Sequence, residues 1–537
     1  MIDIDIDIDI DIDIDIDIDI DIVAAARMAV GKFGSAMALA AMFVGANASA
    51  APGAAGCAAL TAVTVPNTTI GSASYVTSPA GHYCEVAATV APQHDVLVRL
   101  PDVWSRRYVQ YGGGGFDGTI PNLSAGFGTT GRDPVANGFV VAASNGGHRA
   151  SQFPGASFAL DRGLTLSYSV AKIFDTDLVS KALMRAYYGE QAQYRYFTGC
   201  SNGGKNASVA ASNYFDHYDG IVGAAGVWGH ADDHVGGADI SGLTAKWAQT
   251  VQMGWLSPVK GAALRAKIVE ACDALDGVRD GLVSDVAACP VRKVAQQMRC
   301  VAGDDGACLT SDDLHKVAVL TRNLVIDGKV TGPAWAGVSN LATLGAAIPL
   351  SAGFLSMAYR SATPVDPATW DIAPGLLEVK TVLDDVYNMT GDLDGIRKYL
   401  ARDKKLILFH GWEDTTVPPF GSINFFESLS EVDPQGARNV RLYMDPGVGH
   451  CGGGSGADST DLLHVVARWV EQGAEPGSPA NPALAWKVGS PSGPQDVSGA
   501  SFSRPLCPYP SFPFYRGRGD STLADSFACR PGPSAPR

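Results

Sequence analysis

Short apolar runs separated by glycine-rich turns set the pattern of the first part of the chain. Arg107–Tyr111 runs into four glycines, Phe139–Ala143 is continuously apolar, and Tyr194–Phe197 precedes a second glycine cluster. Runs of this length between turn signals predict buried strands, and helical stretches between them predict a largely parallel sheet flanked by helices. From about residue 227 to 403 the pattern changes to helical segments, Pro-punctuated loops and an Asp/Gly cluster. Lys405–Phe409 and Val440–Met444 then return as buried-strand runs, and Leu462–Gln472 has its apolar residues at helical spacing. One sheet interrupted by an insertion accounts for this order. The expected fold is α/β, with a core over residues 51–226 and 404–537 and an inserted domain at 227–403. The tail after residue 475 is rich in Pro, Gly and Ser.

The first fifty residues fall outside that pattern. Ile and Asp alternate without interruption from Ile2 to Ile22, which reads as a low-complexity extension. Lys32, the apolar stretch Ala36–Val44 and Asn47–Ala50 then follow the order of a secretory signal, with a mature chain starting near Ala51. That apolar stretch is too short to span a bilayer, and no later segment does so, which leaves no membrane partner expected. The expected location is therefore secreted or periplasmic. The formal charge is −15 over 537 residues, and −7 without the first fifty. No basic block remains to recruit nucleic acid. All ten cysteines lie beyond residue 50, an even count that predicts disulfides in an exported chain. No CxxC or clustered Cys/His spacing marks a zinc site.

The sharpest chemical signal is Gly199-Cys200-Ser201-Asn202-Gly203. It fits G-x-S-x-G between a strand and a helical stretch, where small glycines let a strained turn lift the serine oxygen out of the sheet. A serine hydroxyl needs a base, and the base needs an acid to orient it. In α/β-hydrolases these follow in the order Ser, Asp/Glu, His. Asp414 lies just past the strand Lys405–Phe409, and His450 just past the strand Val440–Met444. Glu413 competes for the acid, and His410 or His148 for the base, but both histidines break the chain order. Asn202 and Gly112 are the expected backbone donors of an oxyanion hole, the second from the loop after an early strand. Cys200 precedes the serine and Cys451 follows the histidine; a disulfide between them would tie the two loops together.

In these residues the chain resembles the tannase/feruloyl esterase family of α/β-hydrolases. The resemblance runs from about Cys57 to Cys529 and includes Gly112–Gly115, Gly199–Gly204, Asp216–Val222, Cys272–Gly281, His450–Gly453 and Arg504–Pro510. It implies a hydrolase core with a large inserted lid. It also implies the pairings Cys57–Cys84, Cys200–Cys451, Cys272–Cys289, Cys300–Cys308 and Cys507–Cys529. Three carboxylates over eight residues, between Asp273 and Asp280, supply hard oxygen ligands of the kind Ca²⁺ accepts, although the spacing is not an EF-hand. An acidic loop alone reads more simply as solvated surface. The resemblance implies instead a structural calcium site, held by Asp273, Asp276 and Asp280 side chains with the Val278 and Leu282 carbonyls. No organic cofactor is expected.

The expected activity is a serine carboxylesterase acting through an acyl-enzyme, with a small aromatic ester as substrate. A secreted peptidase and a non-catalytic binding protein are the alternatives from other classes. By resemblance, the lid supplies most acyl-group contacts, and it contains Trp228, Trp247, Trp255, Trp335, Phe354, Tyr359 and Trp370. Members of the family that hydrolyse a terephthalate monoester pair its free carboxylate with a lid arginine. No arginine stands at Leu350–Phe354, where that stretch aligns; Arg360 lies downstream. An unpartnered buried carboxylate is costly. The expected order of substrates is therefore hydroxycinnamic or related phenolic esters, then gallate esters (a tannase activity), then terephthalate monoester.

Overall fold

The computed structural model describes residues 52–124, 132–152, 154–229, 239–488 and 499–533. The Ile-Asp run and the signal segment lie outside the described residues. The strands of the main sheet are β1 (Thr68–Ser78), β2 (Gly81–Val90), β3 (His94–Pro101), β4 (Arg107–Tyr111), β5 (Phe139–Ser144), β6 (Tyr194–Cys200), β7 (Gly220–Ala224), β8 (Lys405–Gly411) and β9 (Val440–Asp445). Among the described residues they lie in the order β1-β2-β3-β5-β4-β6-β7-β8-β9. Pairing is antiparallel from β1 to β3 and between β3 and β5. From β5 through β9 it is parallel.

Period-two alternation explains how this sheet makes two cores. On β4, Tyr108 enters one cluster with Val140, Ala142 and Phe197, whereas Val109 and Tyr111 enter the other with Val141, Ala143 and Tyr196. Helices α1 (Lys172–Tyr188) and α2 (Asn202–Asn213) cover the first face with Ile173, Val179, Leu183 and Val209. A late helix, Leu462–Gln472, covers the second with Leu462, Val465, Val466 and Trp469. A sheet buried on both faces favours near-continuous apolar runs, and β5 and β8 are buried throughout, with Ser144, Lys405 and His410 their buried polar residues.

Residues 225–404 lie between two neighbouring strands, since β7 pairs with β8 in the register Ile221↔Leu406. Their main helices are α3 (Ile240–Met253), α4 (Pro258–Cys272) and α5 (Ala347–Ala358). Two of these starts are written in the sequence. Asp239 accepts the Gly242 amide, and Ser257 accepts the Lys260 amide ahead of Pro258 at the first helical position. The described residues form one compact unit. Five disulfides join Cys57 to Cys84, Cys200 to Cys451, Cys272 to Cys289, Cys300 to Cys308 and Cys507 to Cys529. Within the described residues, no helix is long and apolar enough to cross a membrane.

Candidate active site

The loops that leave β4, β6, β8 and β9 all emerge at the carboxyl edge of the parallel strands, the usual place for a site in such a sheet. Ser201 sits between β6 and α2 with φ 61° and ψ −121°, a conformation L residues rarely adopt. Its amide donates to the Ala224 carbonyl at 3.0 Å, and its carbonyl accepts the first helical bond from Lys205 at 3.0 Å. The glycines around it are required by close backbone approach. A Cβ on Gly199 would lie 2.7 Å from Gly203 Cα, and one on Gly203 would lie 2.9 Å from the Gly113 carbonyl oxygen. Strand end, helix start and glycine run therefore touch backbone to backbone.

Asp414 and His450 meet across the edge of β8 and β9. His450 Nδ1 lies 2.7 Å from Asp414 Oδ2, with Asp414 fully buried and His450 partly open to solvent. Asp414 Oδ1 accepts the amides of Thr416 at 2.7 Å and Val417 at 2.9 Å. Burial by itself raises the carboxyl pKa, but the charge of His450 and the bonds from His410 and His450 outweigh it and hold Asp414 well below the usual range. Burial likewise depresses His450, and the facing Asp414 carboxylate more than reverses it, so the imidazole pKa is raised. The Cys200–Cys451 bond, with its Cα atoms 5.8 Å apart, joins the residue before Ser201 to the residue after His450.

The competing residues have other partners. Glu413 receives both Nε and Nη2 of Arg265, at 3.2 Å and 2.7 Å. His410 is fully buried; its Nε2 stands 3.1 Å from both Asp414 Oδ2 and the Val417 carbonyl, and its Nδ1 2.8 Å from Ser422 Oγ. It braces Asp414 and has no open face to solvent. His148 is fully buried against Phe158, and burial pushes its pKa down to about 4.

Gly112 departs from the expectation. Its amide donates to the Thr198 carbonyl at 2.9 Å, one rung further along the β4–β6 ladder than the apolar run marks. A donor so engaged is not available to an oxyanion, and the next amide of the run belongs to Gly113. Asn202 opens α2, where the first amides of a helix have no intrahelical acceptor.

The acidic loop is built on its own amides. Asp273 Oδ1 accepts from Asp280 and Gly281 at 3.1 Å and 3.0 Å, and Asp280 Oδ1 accepts from Leu282 at 3.1 Å. Asp276 Oδ1 accepts from Val278 at 3.2 Å, while its Oδ2 is buried without a partner. Burial, with Asp280 and Asp273 adding repulsion, pushes Asp276 up to about 6. An all-oxygen donor set with one orphaned buried oxygen fits a hard cation. Asp280 Oδ2 also takes Arg504 Nη2 at 2.5 Å. Elsewhere, Cys300, Asp304 and Cys308 bring ligand atoms within 4.8 Å of one another. The two sulfurs are bonded to each other, so neither is a thiolate ligand.

Of the aromatic residues in the insertion, Trp228 and Trp335 are fully buried core. Phe354 on α5 stacks with Trp247 on α3 and meets Phe116 of the glycine loop edge-on, with centroids 6.1 Å and 5.1 Å away. Trp247 Nε1 donates to the Thr416 carbonyl at 2.8 Å, and the Thr416 amide in turn donates to Asp414. Arg360 is exposed and donates to the Leu160 carbonyl at 2.7 Å.

A mixed sheet covered on both faces, with a serine on a strained turn after an inner parallel strand, defines the α/β-hydrolase class. Within it, the chain belongs to the tannase and feruloyl esterase family, whose model matches residues 77–346 and 360–530. It is 31% identical to a probable feruloyl esterase of Arthroderma benhamiae, over 81% of this chain and 82% of that protein. It is 26% identical to mono(2-hydroxyethyl) terephthalate hydrolase of Piscinibacter sakaiensis, over 84% of this chain and 85% of that one. The fold matches feruloyl esterase B from Aspergillus oryzae with a TM-score of 0.73 at 21% identity, over 89% of this chain and 99% of that one. The chain is a carboxylic ester hydrolase.

Proposed function

We propose that the protein hydrolyses esters of phenolic acids through an acyl-enzyme on Ser201. His450 takes the hydroxyl proton as Ser201 attacks the ester carbonyl, then returns it to the leaving alcohol. Asp414 holds the imidazole in the tautomer that leaves its other nitrogen free to accept, and stabilises the imidazolium that forms. The amides of Asn202 and Gly113 receive the developing oxyanion. Water then repeats the sequence on the acyl-enzyme. The observation that carries this reading is the Asp414–His450 pair, tied to the serine turn by Cys200–Cys451. Ser201 and His450 are each one step from a bonded cysteine, so their Cα atoms lie within about 13 Å, from two virtual bonds of about 3.8 Å added to the bridge.

Residues 227–403 act as the lid in this reading, with Phe116, Trp247 and Phe354 as an aromatic wall between it and the catalytic loops. Helix α5 contains no arginine, and Arg360 is turned to Leu160. This favours a phenolic acyl group over one with a free carboxylate. A Ca²⁺ held by Asp273, Asp276 and Asp280 with the Val278 and Leu282 carbonyls would neutralise the crowded carboxylates and brace the loop; it takes no part in the reaction. Five disulfides support export to an oxidising compartment, secreted or periplasmic.

The test compares kcat/KM for methyl ferulate, methyl gallate and the terephthalate monoester on the chain from Ala51, with Ser201→Ala as control. Methyl ferulate should lead, and Ser201→Ala should lose turnover while keeping its fold. A clear preference for the terephthalate ester would reverse the substrate order; hydrolysis by the alanine variant would remove the serine mechanism.

A further inference from the structure

A buried charged cluster lies beneath the glycine run and the serine turn, and no step of the reaction uses it. Asp117 Oδ2 accepts from Lys172 Nζ at 2.7 Å, with side chains 1% and 3% exposed. Asp117 Oδ1 accepts from Asn202 Nδ2. The other end of that amide, Asn202 Oδ1, accepts from the Tyr168 hydroxyl at 3.0 Å, which also stands 3.2 Å from the Gly115 carbonyl. An ionised carboxylate only accepts and the phenol donates here, so the two partners fix the orientation of the Asn202 amide.

The same aspartate carries the glycine run. Its amide donates to the Gly114 carbonyl at 2.8 Å, and a Cβ on Gly113 would lie 3.1 Å from its carboxylate. It reaches this position with φ 50°, in the left-handed region that Asp tolerates better than most residues. Lys172 completes the cluster 4.5 Å above the Tyr168 ring, and Lys205 lies 4.7 Å from the same ring.

A buried ion pair is a weak device for stability, because apolar side chains of similar volume commonly do as well or better. What an apolar pair does not supply is a charged acceptor that holds Asn202 and the glycine run in one frame. Oxyanion donors stabilise a transition state only if they are in place before charge develops. We infer that Asp117 is a positioning residue of the oxyanion hole, clamping the Asn202 turn to the Gly113–Gly115 backbone with Lys172 as its counter-charge. It touches no substrate. The inference rests on the serine-esterase reading above.

Asp117→Asn keeps the size of the side chain and removes its charge. Its kcat on the preferred ester should fall by about tenfold or more with KM changed by less than about threefold, because the lost interaction exists only in the transition state. Affinity for an arylboronic acid, whose adduct with a serine resembles the tetrahedral state, should fall in proportion. Because an unpaired Lys172 also weakens the fold, the second variant is Asp117→Leu with Lys172→Met. It should recover thermal stability while kcat and boronate affinity stay low. Recovery of kcat together with stability, or an Asp117→Asn kcat within about threefold of the parent, would reduce the pair to a structural one. Ser201→Ala measured alongside keeps the outcomes apart: turnover there overturns the esterase reading, whereas a dead Ser201→Ala with an unaffected Asp117→Asn overturns only the role of Asp117.

Discussion

Asp414 gathers two histidines and two amides around one carboxylate, and in the proposed mechanism that crowding sets the pH dependence of activity. In the proposed mechanism His450 must be neutral to accept the Ser201 proton. Its folded pKa is raised, because Asp414 more than offsets burial. The acid limb of kcat/KM should therefore lie above the unperturbed imidazole value of about 6.5. Asp414→Asn should move that limb downward, since burial is then unopposed, and lower kcat by roughly 10³–10⁴-fold. A pH profile of both forms checks this, and an unmoved limb would detach Asp414 from His450. At this scale the sequence singles out Ser201, Asp414 and His450 as candidates, because each follows an apolar strand in a fixed chain order, and the structure brings Asp414 and His450 together. It does not show that the Gly112 amide is engaged, since a glycine carries no sign that the ladder continues through it. Nor does it show the Asp117–Lys172 pair, whose members are separated by 55 residues and fall in no motif.

Among elements, the buried parallel strands are the legible ones. β4, β5, β6 and β8 start where the apolar runs start, and β6 and β8 extend past them only through Thr198–Cys200 and His410–Gly411. The antiparallel strands β1 to β3 were less distinct, because β1 lies mostly at the surface and has no apolar face to repeat. The loop Asp273–Leu282 is legible as an acidic cluster, but its orphaned Asp276 oxygen is visible only in three dimensions. Metal-free protein should melt about 2–3 °C lower than protein with added Ca²⁺, since an ion at a hundredfold excess over its Kd contributes about 2.7 kcal/mol and a chain of this size has a large unfolding entropy. Asp276→Asn should abolish that response, while kcat at low temperature stays unchanged. Calorimetry with and without Ca²⁺ reads the first, and an initial-rate assay the second. Equal melting temperatures would argue for a solvated acidic loop.

Over the whole molecule, an insertion of about 180 residues separates Ser201 from its proposed acid and base, yet the interrupted sheet closes as though it were absent. The interruption was readable because the apolar-run pattern stops near residue 227 and resumes at Lys405. Such an arrangement leaves catalysis dependent on a long chain closure, and Cys200–Cys451 spans 251 residues to make it. Cys507–Cys529 spans only 22 and lies in the tail. In the chain-entropy model, removing the longer bridge costs roughly 5 kcal/mol and the shorter roughly 3 kcal/mol. The two should differ more sharply in activity than in stability. Replacing both cysteines of the longer bridge by serine frees the His450 loop to drift from Ser201, so kcat should fall by about tenfold or more even where the protein is fully folded. The same replacement at Cys507 and Cys529 should lower the denaturant midpoint and leave kcat unchanged. Denaturant titration and saturating-substrate rates on both variants make the comparison. Equal kcat in the two would show that packing alone holds the base loop in place.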